Sequence, residues 1–274
     1  MDSTLTKILF TDLDGTLLTS SKDISSNDLK SIAKLVSAGH KFVVATGRPF
    51  HSAYNLCKEF DFIRPGFYIA ASNGGVIYDC STNKFLVKNT VPYEHVEYIF
   101  KEAARANLHV QTYTDSHVVA LRETNEIIKY TTTIKMPYKI LNSIPSELTE
   151  EPPKVIVISH DGRKVLEPFR DSIAPKLKGK LNIVFSANTL LEFLPLTTSK
   201  GLAIKQLCDI QNIPIANSIA CGDEENDISM IEAAGIGVAM KNGNDYVKSH
   251  ANYVTNCTND EDGITEVIEK FILS

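Results

Sequence analysis

The chain has 274 residues, of which 43% are hydrophobic and 22% are charged, and its formal net charge is −5. This length suits one large domain or two ordinary ones, and the composition is that of a globular protein rather than a disordered one. The acidic balance provides no basic field to attract nucleic acid or an anionic membrane, so we expect neither as a partner.

Cysteine usage and hydrophobic runs indicate the compartment. The five cysteines are widely spaced and form no C-x-x-C pair, which predicts neither a disulfide framework nor a zinc site. Residues 1–7 are polar and lead into an apolar run without the apolar region of a signal peptide. No run approaches the roughly 20 apolar residues of a membrane span. We therefore expect a soluble, cytoplasmic protein, and favour a monomer over a dimer.

The first predicted element is an apolar strand over residues 7–11, which leads into Asp12-Leu13-Asp14-Gly15-Thr16. Such a run is typical of a buried strand in a parallel sheet, where ligands bind at the carboxyl ends of the strands. Strand alternation would turn Asp12 and Asp14 to the same side, where two carboxylates repel each other unless a cation or a shared proton lies between them. The pair therefore predicts a hard cation such as Mg²⁺. Alone, the same residues are also typical of a simple turn.

Helices and strands alternate through the first ninety residues. We predict a helix over residues 28–36, a strand over 41–45 that ends in Thr46-Gly47-Arg48, a helix over 50–60, a strand over 67–71 that ends in Ser72-Asn73-Gly74, and a hairpin of 76–78 with 85–87. A β-α-β-α-β series of this kind predicts a parallel sheet whose carboxyl edge collects the polar strand ends.

The character of the sequence changes at Pro92. The next block mixes helices with antiparallel-looking strands: helices over 93–106, 123–135 and 164–177, and strands over 109–114, 117–121, 154–159, 182–186 and 190–194. Because this mixture differs from the flanking alternation, we predict a separate α+β domain over residues 91–189, inserted into a core formed by residues 1–90 and 190–274.

Strict alternation returns after the insertion. We predict helices over 201–211, 227–234, 245–249 and 263–271, and strands over 218–221, 235–240 and 253–254. The strand at 218–221 ends in Gly222-Asp223-Glu224-Glu225-Asn226-Asp227, and a helix that starts near Asn226 would let Asp223 and Asp227 face one point. Asp227 alone would also suit the positive end of a helix dipole.

Four motifs follow one another in this chain: Asp12-Leu13-Asp14-Gly15-Thr16, Thr46-Gly47-Arg48, Ser199-Lys200-Gly201 and Gly222-Asp223-x-x-Asn226-Asp227. In order and context they resemble those of the haloacid dehalogenase-like (HAD) phosphatases, over essentially the full length. The chain is most similar to the Cof-type branch. The resemblance implies an α/β fold with a Rossmann-like parallel sheet core, and makes the inserted α+β domain a cap that closes over the substrate and determines leaving-group specificity.

The resemblance also implies a role for each acid. Asp12 would be the nucleophile that forms an aspartyl-phosphate, and Asp14 the general acid and later the general base. Mg²⁺ would be bound by the Asp12 carboxylate, the main-chain carbonyl of Asp14 and Asp223, with Asp227 near or behind these ligands. The chemistry is consistent, because a carboxylate is a workable covalent catalyst and a second acid can protonate the leaving alkoxide and then activate water.

Two further polar residues would act on the phosphoryl group. The resemblance implies that Thr46 donates a hydrogen bond to a phosphoryl oxygen and that Lys200 supplies positive charge. Taken alone, Thr46 is typical of a helix N-cap and Lys200 of an exposed helix start.

Five residues are predicted to bind substrate. These are Gly47 and Arg48 in the second motif, Asn73 and Gly74 after the third strand, and Asn242 in a late Asn-Gly pair. Arg48 would reach the substrate or tie its loop to neighbouring acids. The two Asn-Gly pairs are also typical of turns, so both interpretations stay open.

The leading functional hypothesis is a Mg²⁺-dependent phosphatase for small phosphorylated metabolites. Sugar phosphates are the first expected substrates, and cofactor phosphates such as pyridoxal phosphate are the second. A sugar phosphomutase would use the same acids. A sensor that binds a phosphorylated ligand without turnover is the third hypothesis, although binding alone does not require Asp14.

Overall fold

The computed structural model describes residues 6–274. Within that range the strands are, in chain order, β1 (Ile8–Thr11), β2 (Lys41–Ala45), β3 (Phe67–Ala71), β4 (Val76–Asp79), β5 (Lys84–Lys88), β6 (His109–Tyr113), β7 (Val118–Ala120), β8 (Tyr138–Ile140), β9 (Val155–Ile158), β10 (Leu181–Ala187), β11 (Leu190–Pro195), β12 (Ser218–Gly222), β13 (Ile236–Ala239) and β14 (Tyr253–Val254). The α-helices are α1 (Ser26–Ser37), α2 (Phe50–Glu59), α3 (Tyr93–Arg105), α4 (Asn125–Ile134), α5 (Arg163–Leu177), α6 (Lys200–Ile210), α7 (Ile228–Ala233), α8 (Asp245–Lys248) and α9 (Gly263–Phe271). None of these helices is long and apolar enough to cross a bilayer.

The chain forms two compact units. The first contains the described residues up to Gly47 together with Leu56–Val87 and Ser199–Ser274, and the second contains Arg48–Asn55 and Lys88–Thr198. These limits differ from the sequence-based limits at residues 90 and 190. Strand β11 lies in the second unit because it pairs with β10 and β9 of that unit's sheet. That the second unit acts as a cap stays a prediction.

The first unit is built on an eight-stranded sheet in the order β14-β13-β12-β1-β2-β3-β4-β5. Strand β1 pairs in parallel with β12 and β2, and the parallel pairing continues through β13 and β14 on one side and β3 on the other. Strand β4 turns back antiparallel to β3. The predicted α/β core with a parallel sheet is therefore confirmed.

Helices cover this sheet with their apolar stripes. All four residues of β1 are buried, and Ile8 and Phe10 share a core cluster with Ala203, Ile204 and Leu207 of α6. Helix α1 packs against β2 and α9. Near-continuous apolar strands of this kind form where helices lie on the sheet, since both faces are then withdrawn from water.

The second unit has a six-stranded sheet in the order β10-β11-β9-β6-β7-β8. Its pairings are antiparallel except for β7 with β8, which are parallel. Strand β8 was not predicted, because three residues are too few to reveal a strand pattern and these are partly or fully exposed. Strand β9 alternates between two clusters: Val155 and Val157 pack in the cluster of α3 and α5, whereas Ile156 and Ile158 pack in the cluster of α4.

A buried ion pair joins β11 of the second unit to Lys154, the residue that precedes β9. Nζ of Lys154 lies 3.0 Å from Oε1 and 3.1 Å from Oε2 of Glu192. The two side chains are 1% and 3% exposed, and Ser186 Oγ donates a further hydrogen bond to Glu192. Breaking such a pair on one side is costly, because it leaves a charge buried without its counter-charge.

We expect Glu192→Gln to lower the free energy of unfolding by about 3 kcal/mol, because the Lys154 ammonium stays buried beside a neutral amide. The double variant Lys154→Met with Glu192→Leu should recover most of that loss, since no charge is then buried. Urea unfolding followed by far-UV circular dichroism measures both. A double variant no more stable than Glu192→Gln would contradict the prediction.

Candidate active site

The polar strand ends of the first unit meet at one edge of its sheet. Asp12 follows β1, Thr46 follows β2, and Asp223 follows β12, while a short 3₁₀ turn over Ser72–Gly74 follows β3. These neighbouring strands are parallel, so their carboxyl ends share an edge. Residues separated by more than 200 positions in the sequence are thereby brought together.

Lys200 lies between two of the acids at this edge. It is the first residue of α6, whose N-terminus is capped by the side chain of Ser199 accepting from Leu202 N. Nζ of Lys200 lies 2.5 Å from Oδ1 of Asp12 and 2.5 Å from Oδ1 of Asp227. The lysine is only 1% exposed, so it is not the exposed helix-start residue that its sequence context alone would favour.

Asp227 connects this ammonium to the turn after β12. Its Oδ2 accepts hydrogen bonds from the backbone N–H of Asp223 at 3.0 Å and of Glu224 at 3.1 Å, and the side chain is fully buried. A Cβ at Gly222 would meet the Asp227 side chain, so glycine is required there. Both carboxylate oxygens of Asp227 thus hold protein groups in place.

Asp223 is held from the other side by the loop that follows Asp14. Thr16 Oγ1 donates to Oδ1 of Asp223 at 2.7 Å. Gly15 has φ +88°, and a Cβ there would meet the Asp223 carboxylate. Glycine is needed for both reasons. Sequence reasoning included Thr16 in a motif without a role for it, and the contact depends on a partner 207 residues away.

Asp14 has a different environment from Asp12. Strand β1 ends at Thr11, and the chain then turns, with Leu17 N donating to the Asp12 carbonyl, so strand alternation does not govern the two side chains. The Asp14 carboxylate is 42% exposed and pairs with Lys22, whose Nζ lies 2.8 Å from Oδ1. That both carboxylates face one cation stays a prediction.

Three carboxylates, without that of Asp14, form a group that fits a metal ion. Ligand oxygens of Asp12, Asp223 and Asp227 lie within 4.8 Å of one another. A set of carboxylate oxygens suits a hard cation such as Mg²⁺. Asp12 and Asp223 are the residues best placed to bind it directly, because both oxygens of Asp227 already accept hydrogen bonds from Lys200 and the backbone.

Burial changes the proton affinities of these groups. It raises the pKa of Asp12 to about 7, against the opposing charge of Lys200, and Asp227 adds to the rise. It also raises the pKa of Asp223 to about 6, against the hydrogen bond from Thr16. For Lys200, burial would lower the pKa, but the charges of Asp12 and Asp227 outweigh it and raise the pKa above its usual value, so the ammonium stays charged.

The motif after β2 lies against the turn after β3. Thr46 is 2% exposed, and its carbonyl accepts from Asn73 N at 3.0 Å. A Cβ at Gly47 would lie 3.1 Å from Oδ1 of Asn73. Ser72, Asn73 and Gly74 all have positive φ values, of 52°, 57° and 85°. Backbone of this kind is maintained only where its surroundings enforce it, and it is concentrated at functional sites.

Asn242 and Arg48 are two further residues predicted to bind substrate. Asn242 donates through Nδ2 to the Gly15 carbonyl at 2.7 Å, and its Oδ1 accepts from Asn259 N at 3.0 Å. It thus supports the loop after Asp14. Arg48 belongs to the second unit. Substrate contact by Arg48, Asn73 or Asn242 stays a prediction.

In the absence of divalent metal, we expect the stability of the protein to fall as pH rises from about 4 to about 7. The pKa of Asp12 is about 7 in the fold against 3.8 as its ordinary value, so the fold binds the proton more tightly. Its contribution is complete below the ordinary pKa and is lost as pH rises through the folded one. The free energy of unfolding of the wild type relative to Asp12→Asn should fall by about 3 kcal/mol over this range.

Urea titrations in EDTA at several pH values, on wild type and Asp12→Asn, measure this difference. Parallel stability curves for the two proteins would contradict the assignment of the pH dependence to Asp12.

A family model described as haloacid dehalogenase-like hydrolase matches residues 9–268. Pyridoxal phosphate phosphatase YbhA of Escherichia coli is 27% identical over 277 residues, which cover 98% of each chain. The 5-amino-6-(5-phospho-D-ribitylamino)uracil phosphatase YitU of Bacillus subtilis is 27% identical over 283 residues, 95% of each chain.

Among solved structures, a haloacid dehalogenase-like hydrolase from Bacteroides thetaiotaomicron matches with a TM-score of 0.89 at 32% identity, over 97% of this chain and 99% of that one. The family model spans nearly the whole sequence, and the structural match spans both units. The chain that brings these buried acids and the lysine together on a parallel sheet therefore belongs to the haloacid dehalogenase-like hydrolase family, and it is an enzyme.

Proposed function

We propose that this protein is a Mg²⁺-dependent phosphatase that hydrolyses phosphate monoesters of small metabolites through an aspartyl-phosphate. The observation that carries the proposal is the buried Lys200 ammonium, 2.5 Å from the Asp12 carboxylate, beside the cluster of Asp12, Asp223 and Asp227. A carboxylate nucleophile needs positive charge around it before it can approach a phosphate dianion.

The residues present suit Mg²⁺. The Asp12 carboxylate, the main-chain carbonyl of Asp14 and the Asp223 carboxylate would hold it, and Thr16 would orient Asp223. When bound, Mg²⁺ supplies the charge that offsets the repulsion between Asp12 and the phosphoryl oxygens. Asp227 serves this set indirectly, because it orients Lys200 and the backbone of Asp223.

The first step is transfer of the phosphoryl group to Asp12. A carboxylate oxygen of Asp12 forms a bond to phosphorus as the bond from phosphorus to the ester oxygen breaks, and Asp14 gives its proton to the departing oxygen. The products are an alcohol and an aspartyl-phosphate. Asp14 is more exposed than Asp12, which suits a group that exchanges its proton with substrate and water.

The second step restores the enzyme. Asp14, now ionised, takes a proton from a water molecule whose oxygen attacks phosphorus, and the bond to Asp12 breaks to release inorganic phosphate. Lys200 and Thr46 would stabilise the phosphoryl oxygens in both steps, as a fixed positive charge and a hydroxyl donor. Because Lys200 is held between two carboxylates, it needs no rearrangement as the charge develops.

The names of the two relatives support an inference about the substrate class. One relative is named for pyridoxal phosphate and the other for a phosphoribityl compound, so both names describe monoesters of small molecules. We infer that sugar phosphates are the first class of substrate for this chain and that cofactor phosphates such as pyridoxal phosphate are the second.

Asp12→Asn should abolish hydrolysis of p-nitrophenyl phosphate, because the amide cannot form the aspartyl-phosphate. The rate should fall by at least about 10³-fold, and the wild-type rate should disappear in EDTA and return with Mg²⁺. Asp209→Asn, at an exposed position of α6, is the matched control and should keep the wild-type rate. Far-UV circular dichroism checks that each variant folds. An active Asp12→Asn, or metal-independent turnover, would contradict the mechanism.

A panel of sugar and cofactor phosphates with Mg²⁺ should show release of inorganic phosphate, with the highest kcat/KM for a sugar phosphate. Molybdate detection of phosphate measures this. Movement of labelled phosphate between positions of a sugar without release would identify a phosphomutase instead. Thermal stabilisation by a phosphorylated ligand with no turnover across the panel would identify a sensor.

A further inference from the structure

The loop over residues 18–25, called here the Lys22 loop, follows the first motif and lies at the surface. Its turn is closed by Thr19 N donating to the Asp23 carbonyl at 2.8 Å and Lys22 N donating to the Thr19 carbonyl at 2.9 Å. Lys22 itself has φ +64°, a backbone conformation that is unfavourable for residues with a Cβ. A conformation of this kind persists only where other contacts determine it.

Those contacts come from the C-terminal part of the chain. Asp260 accepts from Ser20 N at 2.7 Å and from Ser20 Oγ at 2.6 Å, and Asn259 Nδ2 donates to the Leu18 carbonyl at 2.9 Å. On the far side of Lys22, Ser25 Oγ donates to Oδ1 of Asp262 at 2.5 Å. The Lys22 loop is thus held on both sides of the lysine, although residues 20–23 at its tip are exposed.

The lysine so placed contacts Asp14. Its Nζ lies 2.8 Å from Oδ1 of the carboxylate, and the two side chains are 61% and 42% exposed. Exposed ion pairs contribute little to stability, partly because two mobile side chains must be ordered. Here Asp260 and Asn259 hold the loop at Ser20 and Leu18, before the lysine, so we infer that the pair orders the carboxyl group more than it stabilises the fold.

We propose that Lys22 is a positioning residue for Asp14, holding the carboxyl group where it passes its proton to the leaving oxygen. The inference rests on the proposed phosphatase function. Lys22 binds Oδ1 and thereby restricts rotation of the carboxyl group. Small displacements of a catalytic group cost large factors in rate, so a residue that removes this freedom affects turnover without touching the phosphoryl group.

The test depends on the leaving group. An alkoxide needs the proton from Asp14 as it departs, whereas p-nitrophenolate is stable without it. The kcat/KM value reports the phosphoryl transfer to Asp12 for both kinds of ester. Ribose 5-phosphate and p-nitrophenyl phosphate therefore form a pair of probes, and the ratio of their kcat/KM values isolates the contribution of proton donation.

We expect Lys22→Met to lower the ratio for ribose 5-phosphate over p-nitrophenyl phosphate by about tenfold, with the aryl ester within about twofold of wild type. Lys22→Arg, which keeps the positive charge, should restore most of the ratio. In the Asp14→Asn background, Lys22→Met should cause no further change, because the group it positions has lost its proton. The thermal midpoint should stay unchanged.

Lys164→Met is the matched control. Lys164 is an exposed lysine whose Nζ lies 3.4 Å from Asp161, and its removal should leave both esters at the wild-type rate. An unchanged ratio in Lys22→Met, or an equal loss on both esters, would overturn the role of Lys22 while the phosphatase function stands. A wild-type enzyme that hydrolyses neither ester would overturn the proposed function, and the role of Lys22 with it.

Discussion

The enclosure of the Lys200 ammonium between Asp12 and Asp227 is the interaction on which the rest of the site depends. Each of these charges would be costly to bury alone, so the lysine makes burial of the acids possible and the acids keep the lysine charged. Because the three residues come from the end of β1, the start of α6 and the turn after β12, their pairing also ties three separate segments together.

A series of hydrogen bonds connects Asp227 to the loop after Asp14. Asp227 holds the backbone of Asp223, the Asp223 carboxylate accepts from Thr16, and the loop containing Thr16 is held by Asn242 through the Gly15 carbonyl. Such a network makes the geometry of each acid dependent on all the others. It also explains why glycine is required at positions 15 and 222, where a Cβ would meet an acidic side chain.

The two acids of the first motif have different environments. Asp12 is 7% exposed and bound to a buried ammonium. Asp14 is partly exposed and bound to a surface lysine. The two relatives, each 27% identical to this chain, are named for different substrates.

By itself, the sequence determined the parallel sheet and the acids that follow the carboxyl ends of its strands. Hydrophobic periodicity and motif order are local properties, so they can be read without the fold. Only the tertiary structure decided which partner each acid has. Lys22 contacts Asp14 from a loop that Asp260, 240 residues after Ser20, helps to hold, and β11 belongs to the second sheet because of its pairing partners. Contacts between distant residues follow from packing of the whole chain, which no local pattern specifies.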